Sequence, residues 1–156
     1  MSTIPSEIKL VTEHAEPPYE HWSERLEIGV PLIDYQHKQF FELADSLTKD
    51  GDEVHVMRAL TELNNYVRDH FRDEEALMAA AKYPGLEEHR QLHHEFRYML
   101  GDTLERARTM TMAQISEEVR QLVNGWLHLH IVTVDPDYVP HVWEAEKDRA
   151  EEDLDR

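Results

Sequence analysis

The chain has 156 residues and no cysteine, and its 33 acidic against 16 basic side chains give a formal net charge of −17 with neutral histidines. A disulfide scaffold, a thiolate metal site and a cysteine nucleophile are excluded, so any metal must be bound through nitrogen and oxygen. The charge repels nucleic acids and acidic membrane surfaces, and no basic patch offsets it. No signal peptide pattern opens the sequence and no stretch is apolar enough to span a membrane, so we expect a soluble, cytoplasmic protein.

The distribution of glycine and proline predicts an all-α fold. Only 5 glycines and 7 prolines occur, mostly near the ends or between long amphipathic runs. We expect an N-terminal arm over residues 1–21, an antiparallel up-down-up-down four-helix bundle over 22–138 and a C-terminal tail over 139–156. The segment before Pro31 is expected to lie over the bundle as a loop and to pack through Trp22, Leu26, Ile28 and Val30.

The first two predicted helices carry apolar stripes at spacings of three and four. The stripe of the first helix, which should end near residues 49–51, comprises Ile33, His37, Phe40, Phe41, Ala44 and Leu47. That of the second, which should end at residues 83–85, comprises Val56, Leu60, Leu63, Val67, His70, Glu74, Leu77 and Ala81.

The last two predicted helices repeat the pattern. The third stripe comprises Leu86, His89, His93, Phe96, Leu100 and Leu104. The fourth comprises Ile115, Val119, Leu122, Trp126 and His130. Pro136 should close the fourth helix because the residue before a proline is disfavoured in the α conformation. We expect the segment after it to form a short, solvated helix of charged residues.

Polar side chains stand on all four apolar stripes. Burying an unpaired carboxylate costs several kcal/mol, and an imidazole without partners costs roughly 1–3 kcal/mol per group. One buried histidine is ordinary, but the four helices together place six such residues on these stripes: His37, His70, Glu74, His89, His93 and His130. If the stripes face one another, these residues converge, and bound metal is the usual compensation.

The spacings are consistent with metal coordination. His70 and Glu74 are four residues apart, as are His89 and His93, so each pair stacks on one helix face. His130 and Asp135 would point about 140° apart on a regular helix, and both face inward only if the helix ends or tightens before Asp135. Five imidazoles and two carboxylates suit two ions bridged by the carboxylates, and ligand chemistry leaves iron, manganese and zinc open.

Six other histidines are expected not to be ligands. They lie in the arms, at a helix start or off the ligand face, and are His14, His21, His55, His94, His128 and His141.

Four sequence segments resemble the hemerythrin family, and most closely its bacterial stand-alone members. They are DYQH at 34–37, HFRDE at 70–74, HRQLHHEF at 89–96 and WLHLHIVTVD at 126–135. The resemblance runs from about Trp22 to Tyr138. It implies a non-haem di-iron site with an oxo or hydroxo bridge that binds O2 reversibly for oxygen transport, storage or delivery, rather than an enzyme.

The resemblance also implies residue roles. His89, His93 and His130 would hold one iron, His37 and His70 the other, and Glu74 and Asp135 would bridge them, with O2 entering at the second iron. Five residues would form an apolar O2 pocket: Phe71, Phe96, Trp126, Leu127 and Ile131. Plain core packing would also place these five residues here, and both assignments can hold at once.

Three other functions stay open at this stage. The chain could be an O2 or redox sensor that signals to a partner through its terminal arms, or a di-iron oxidase or peroxidase. It could also be a bundle that stores iron or zinc. A carrier could deliver O2 to an oxygen-consuming enzyme.

Overall fold

The computed structural model describes residues 22–47 and 52–155, and these ranges contain helices and no strand. The long helices are α1 (Pro31–Ser46), α2 (Glu53–Ala80) and α3 (Leu86–Arg106). A fourth rod consists of α4 (Met112–Gln121), a π-helical segment (Leu122–Leu127) and α5 (His128–Thr133). Helix α6 (Val139–Leu154) follows, and short 3-10 turns occupy Glu24–Leu26, Ala107–Thr109 and Asp135–Asp137.

The four rods close into a bundle. Helix α1 packs on α2, α2 on α3, α3 on the fourth rod, and the fourth rod on α1. Sequential neighbours joined by short connections run antiparallel. The all-α four-helix bundle is therefore confirmed. Within the part of the chain that the structure describes, no helix is both long and apolar enough to cross a membrane.

Local sequence signals set the helix starts. Pro31 occupies the first turn of α1, where its missing N–H has no partner to lose. The Asp52 carboxylate accepts from the backbone N–H of His55 and caps α2. Thr111 and Gln114 form a capping box at the start of α4.

The predicted end of the first helix at residues 49–51 lies outside the described residues, as do the arm over 1–21 and its two histidines.

A polar layer separates two apolar clusters. Helix α1 runs from Ile33 in the smaller cluster to Phe40 in the larger, and α2 runs from Phe71 in the larger to Met78 in the smaller. The segment before Pro31 packs as expected: Leu26 and Val30 are buried, while Trp22 and Ile28 are half-buried. The buried histidines and carboxylates lie between the two clusters.

Three stripe assignments differ from the prediction, and on α3 the buried residue is Thr103, whereas Leu104 is only half-buried. On α2 the fully buried residue is Met78, whereas Leu77 and Ala81 only flank the smaller cluster. On the fourth rod Val123 and Leu127 are buried and Leu122 is only half-buried. In all three places the buried face has moved by one residue relative to the predicted one.

The π-helical segment explains the shift on the fourth rod. The buried apolar residues of the fourth rod recur at a strict spacing of four and are Ile115, Val119, Val123, Leu127 and Ile131. On an α-helix each step of four advances the stripe by about 40°. The wider π turn, with hydrogen bonds five residues apart, absorbs this drift and keeps the residues on one face.

The C-terminal helix is only partly solvated. Val139 and Val142 on its first turns are buried against Val30, Ile33 and Met78, contrary to the expectation of a solvated helix. The Trp143 indole N–H donates to the carbonyl oxygen of Gly29 at 2.9 Å. The 3-10 turn at Asp135–Asp137 redirects the chain onto the bundle, which brings these apolar residues into contact. From Glu144 to Asp155 the helix is mostly exposed, as expected.

Candidate metal centre

The polar layer contains seven residues, six from the four rods and one from the 3-10 turn that follows the fourth rod, and we call them the seven-residue cluster. Each is no more than 4% exposed, and the members are His37, His70, Glu74, His89, His93, His130 and Asp135. All seven predicted ligand positions therefore meet in one buried volume. We call His89, His93 and His130 the three-histidine group and His37 and His70 the two-histidine group.

Glu74 lies between the two groups. Its Oε1 is 2.8 Å from Nε2 of His89 and 3.0 Å from Nε2 of His93. Its Oε2 is 3.5 Å from Nε2 of His70 and 3.9 Å from Nε2 of His37. One oxygen thus faces each group, which is the arrangement of a bridging carboxylate.

Asp135 divides its oxygens in the same way. Its Oδ1 is 2.9 Å from Nε2 of His130 and 3.2 Å from Nε2 of His89, while its Oδ2 is 3.4 Å from Nε2 of His37. The carboxylate points inward because α5 ends at Thr133 and a 3-10 turn begins at Asp135, just before Pro136. The tightening that the five-residue spacing required is present.

Unsatisfied buried atoms test whether the cluster fits metal. Both ring nitrogens of His37 and both carboxylate oxygens of Asp135 are buried without a hydrogen bond of acceptable geometry. Such groups are costly unless a further partner compensates them. Among the described residues, two sets have ligand atoms within 4.8 Å of one another: Glu74 with the three-histidine group, and Glu74 with the two-histidine group. The imidazole and carboxylate donors fit iron, manganese or zinc.

Protonation of the metal-free cluster also favours cation binding. Burial lowers the pKa of His70 to about 3 and also lowers that of His37, so both rings are neutral and offer a lone pair. Burial opposes the proton on His89, but the carboxylates of Asp135 and Glu74 outweigh it and raise its pKa to about 9. Despite burial, hydrogen bonds from the histidines hold the pKa of Glu74 well below its usual range. A metal ion would therefore replace a proton held between the carboxylates and His89.

Tyr138 is a polar neighbour that sequence reasoning missed. Its hydroxyl donates to Oε2 of Glu74 at 3.2 Å, and the residue is fully buried. Burial, with Glu74 and Asp135 nearby, raises the pKa of the phenol, so it keeps its proton and stays a donor. The available signal was a tyrosine one helical turn after Asp135.

Outer hydrogen bonds orient two of the histidines and were also missed. The Gln36 Oε1 lies 2.7 Å from Nδ1 of His70. The Glu75 Oε2 lies 3.3 Å from Nδ1 of His93. Each partner directly adjoins a predicted ligand in sequence, which is the signal that could have found it.

Aromatic rings cover one side of the cluster. Phe71 stacks on His93 with ring centroids 3.8 Å apart, and Trp126 stacks on His130 at 4.8 Å. Phe96 lies against both aromatic rings, 5.8 Å from Phe71 and 4.8 Å from Trp126. The two remaining predicted pocket residues, Leu127 and Ile131, are buried in the larger apolar cluster.

Four other histidines lie in the described part of the chain, apart from the seven-residue cluster. His55, His94 and His141 are exposed. His128 is half-buried, and burial lowers its pKa. None of the four belongs to a candidate metal group found among the described residues.

The chain is similar to a family of known proteins. A family model described as the hemerythrin HHE cation-binding domain matches residues 28–142. The bacteriohemerythrin of Stenotrophomonas maltophilia is 31% identical over 124 residues, which cover 78% of this chain and 80% of the relative. A bacteriohemerythrin of Pseudomonas aeruginosa has the same identity and coverage. The myohemerythrin of Theromyzon tessulatum is 31% identical over 121 residues, or 78% of this chain and 91% of that protein.

Proposed function

Because this chain belongs to the hemerythrin family, we propose that it binds O2 reversibly at a pair of iron ions. The family comprises proteins that typically bind O2 at non-haem iron. The proposal rests on how Glu74 and Asp135 are placed. Each carboxylate directs one oxygen towards the three-histidine group and the other oxygen towards the two-histidine group.

The two groups would play unequal parts. The three-histidine group offers one more imidazole than the two-histidine group, while both share the two carboxylates. An ion held by the two-histidine group is therefore one ligand short, and O2 would bind there. Bound iron would supply the electrons that O2 takes up on binding and returns on release.

The protein's own contribution is to exclude water and to hold charge in place. Phe71 lies against one histidine of each group, with ring centroids 3.8 Å from His93 and 5.6 Å from His70. A dry wall favours reversible binding because water would bring the protons that make oxidation of the iron irreversible. The Tyr138 hydroxyl donates a hydrogen bond to Oε2 of Glu74 and keeps that oxygen oriented towards the two-histidine group.

The decisive experiment is anaerobic reconstitution of the full chain with ferrous iron, followed by cycles of O2 admission and removal under visible spectroscopy. We expect two irons per chain and a colour that appears and disappears over several cycles. Colour that develops once and then bleaches contradicts reversible binding and favours an oxidase or peroxidase.

Adjacent histidines supply a matched control for that experiment. His93→Gln removes a buried group that contacts Glu74, whereas His94→Gln changes an exposed neighbour on the same helix turn. We expect the first variant to lose iron and colour and the second to retain both. Equal behaviour of the two variants contradicts the ligand assignment.

A sensor function is the second candidate, and the C-terminal helix favours it. Asp135 and the helix start at Val139 are four residues apart, and Trp143 on that helix bonds to Gly29. A change at the cluster could thus reach α6 directly. Hydrogen exchange in α6 that differs between the ferrous and ferric proteins would support signalling to a partner, and identical exchange would favour a carrier that serves an oxygen-consuming enzyme.

A further inference from the structure

The amide of Gln36 lies between a surface carboxylate and a buried imidazole. Its Nε2 donates to Oδ2 of Asp73 at 2.9 Å, and its Oε1 lies 2.7 Å from Nδ1 of His70. Gln36 is only 8% exposed, while the Asp73 side chain is 36% exposed and pairs with Arg72 at 3.6 Å. Asp73, Gln36 and His70 thus form a line of hydrogen-bonded side chains from the protein surface to the seven-residue cluster.

The chemistry of this line allows one arrangement of protons. An ionised carboxylate only accepts hydrogen bonds, so the amide nitrogen of Gln36 must face Asp73 and the amide oxygen must face His70. The oxygen in turn requires a proton on Nδ1 of His70. The Nε2 lone pair of His70 is thereby left on the side of Glu74, where an ion would be bound.

The other histidines do not share this partner. Glu75, which is bound by Arg90, lies next to Nδ1 of His93 in the three-histidine group. Nδ1 of His37 has no hydrogen bond within the described residues. Among the described residues, Gln36 is thus the outer hydrogen-bond partner of the two-histidine group, and it does not contact the three-histidine group.

We propose that Gln36 is a positioning residue which fixes the tautomer and direction of the His70 ring and so sets the metal affinity of the two-histidine group. This inference rests on the proposed two-metal site. An outer hydrogen bond of this kind typically contributes 10- to 100-fold to metal affinity. Its effect falls on the group where O2 would bind.

The test uses zinc as the probe, because zinc has no redox chemistry and the result is independent of O2. Zinc bound to the full chain is measured by equilibrium dialysis against buffered free zinc. We expect two steps, with the three-histidine group filling first because it has more ligands. Gln36→Leu, which keeps the bulk but removes the acceptor, should weaken the second step by about 10- to 100-fold and leave the first unchanged.

Two further variants separate positioning from simple packing. The reciprocal exchange Gln36→Glu with Asp73→Asn restores an acceptor for His70 and a donor to hold it, so it should recover the second step. Asp73→Ala leaves the buried residues intact and frees the amide to rotate, so it should weaken the second step by a smaller factor. It also decides the question if Gln36→Leu does not fold.

Glu75→Leu is the matched control, since it removes the outer partner of the other group. Any shift that it causes should appear in the first step. Failure of the reciprocal exchange to recover binding, or an equal shift of both steps in the Gln36 and Asp73 variants, would overturn the positioning role. A wild-type chain that binds fewer than two zinc ions would instead contradict the proposed two-metal site on which the inference rests.

Discussion

Replacing Phe71 by alanine should remove both a packing element and the barrier to water. The ring is 2% exposed and contacts three others: it stacks on His93 and lies 5.6 Å from His70 and 5.8 Å from Phe96. A buried Phe→Ala change costs about 3–5 kcal/mol. Aromatic pairs add about 0.5–1.5 kcal/mol each, so we expect Phe71→Ala to lower the free energy of unfolding by about 5 kcal/mol, the upper end of the Phe→Ala range.

Phe71→Leu is the comparison that separates volume from ring chemistry. Leucine fills much of the space, so we expect it to cost only about 1.5 kcal/mol, through the lost ring contacts. Chemical denaturation of the metal-free chain, followed by circular dichroism, measures both values. The same two variants, loaded with iron, are then compared for their rate of irreversible oxidation in air.

The stability and oxidation measurements should agree if the Phe71 ring both fills space and excludes water. The alanine variant leaves a space beside imidazoles and carboxylates, and a polar cavity of that kind admits water. It should therefore autoxidise faster than wild type, whereas the leucine variant should remain close to wild type. An alanine variant that loses less than the leucine variant in stability, or one that oxidises at the wild-type rate, would refute the role of the ring.

Three further outcomes are expected. Trp126→Gln should speed autoxidation, because a polar side chain would replace a ring of the apolar wall. The metal-free chain should be most stable near pH 6.5. Protonated His89 stabilises the fold, and this stabilisation is lost as the pH rises from 6.5 through the His89 pKa of about 9. Stability also falls as the pH drops from 6.5, because His70 is protonated in the unfolded chain but stays neutral in the fold until its pKa of about 3. Gly29→Ala should destabilise the chain by about 1–2 kcal/mol, because its φ is 92° and the new Cβ would lie 2.6 Å from the Trp143 ring.

An unchanged autoxidation rate in Trp126→Gln would remove that ring from the pocket wall. A thermal midpoint that rises steadily from pH 6.5 to 9 in the metal-free chain would contradict the role of His89. Gly101→Ala is the control for Gly29→Ala, since it lies inside α3 with nothing within 4 Å of the added Cβ, and it should stabilise the chain by about 0.5–1 kcal/mol.

Much of the fold could be predicted because hydrophobic periodicity determines which faces of the helices meet. The stripes on α1 and α3 needed little correction, and the position of Pro136 correctly indicated that the chain must tighten at Asp135. The convergence of seven polar residues followed from the cost of burying each of them alone. Their part as metal ligands stays a prediction.

What could not be predicted depended on contacts between distant segments. Periodicity alone cannot choose between Leu77 and Met78, because packing from the C-terminal helix decides which of them is buried. The hydrogen bond from Tyr138 to Glu74 joins residues 64 positions apart, so the spacing of Tyr138 from Asp135 could not identify Glu74 as its partner. Gln36 and Asp73 are likewise 37 positions apart, so their link appears only after α1 and α2 have packed.

The π-helical segment amounts to one surplus residue in an otherwise ordinary rod. If the six residues from Leu122 to Leu127 were wound as a regular α-helix with none removed, the surplus residue would rotate everything beyond it by about 100°. His130 and Asp135 would then swing away from the other five members of the cluster. The π-helical irregularity therefore keeps His130 and Asp135 in register with the rest of the bundle. A chain with an ideal α-helix at this place would lose the seven-residue cluster.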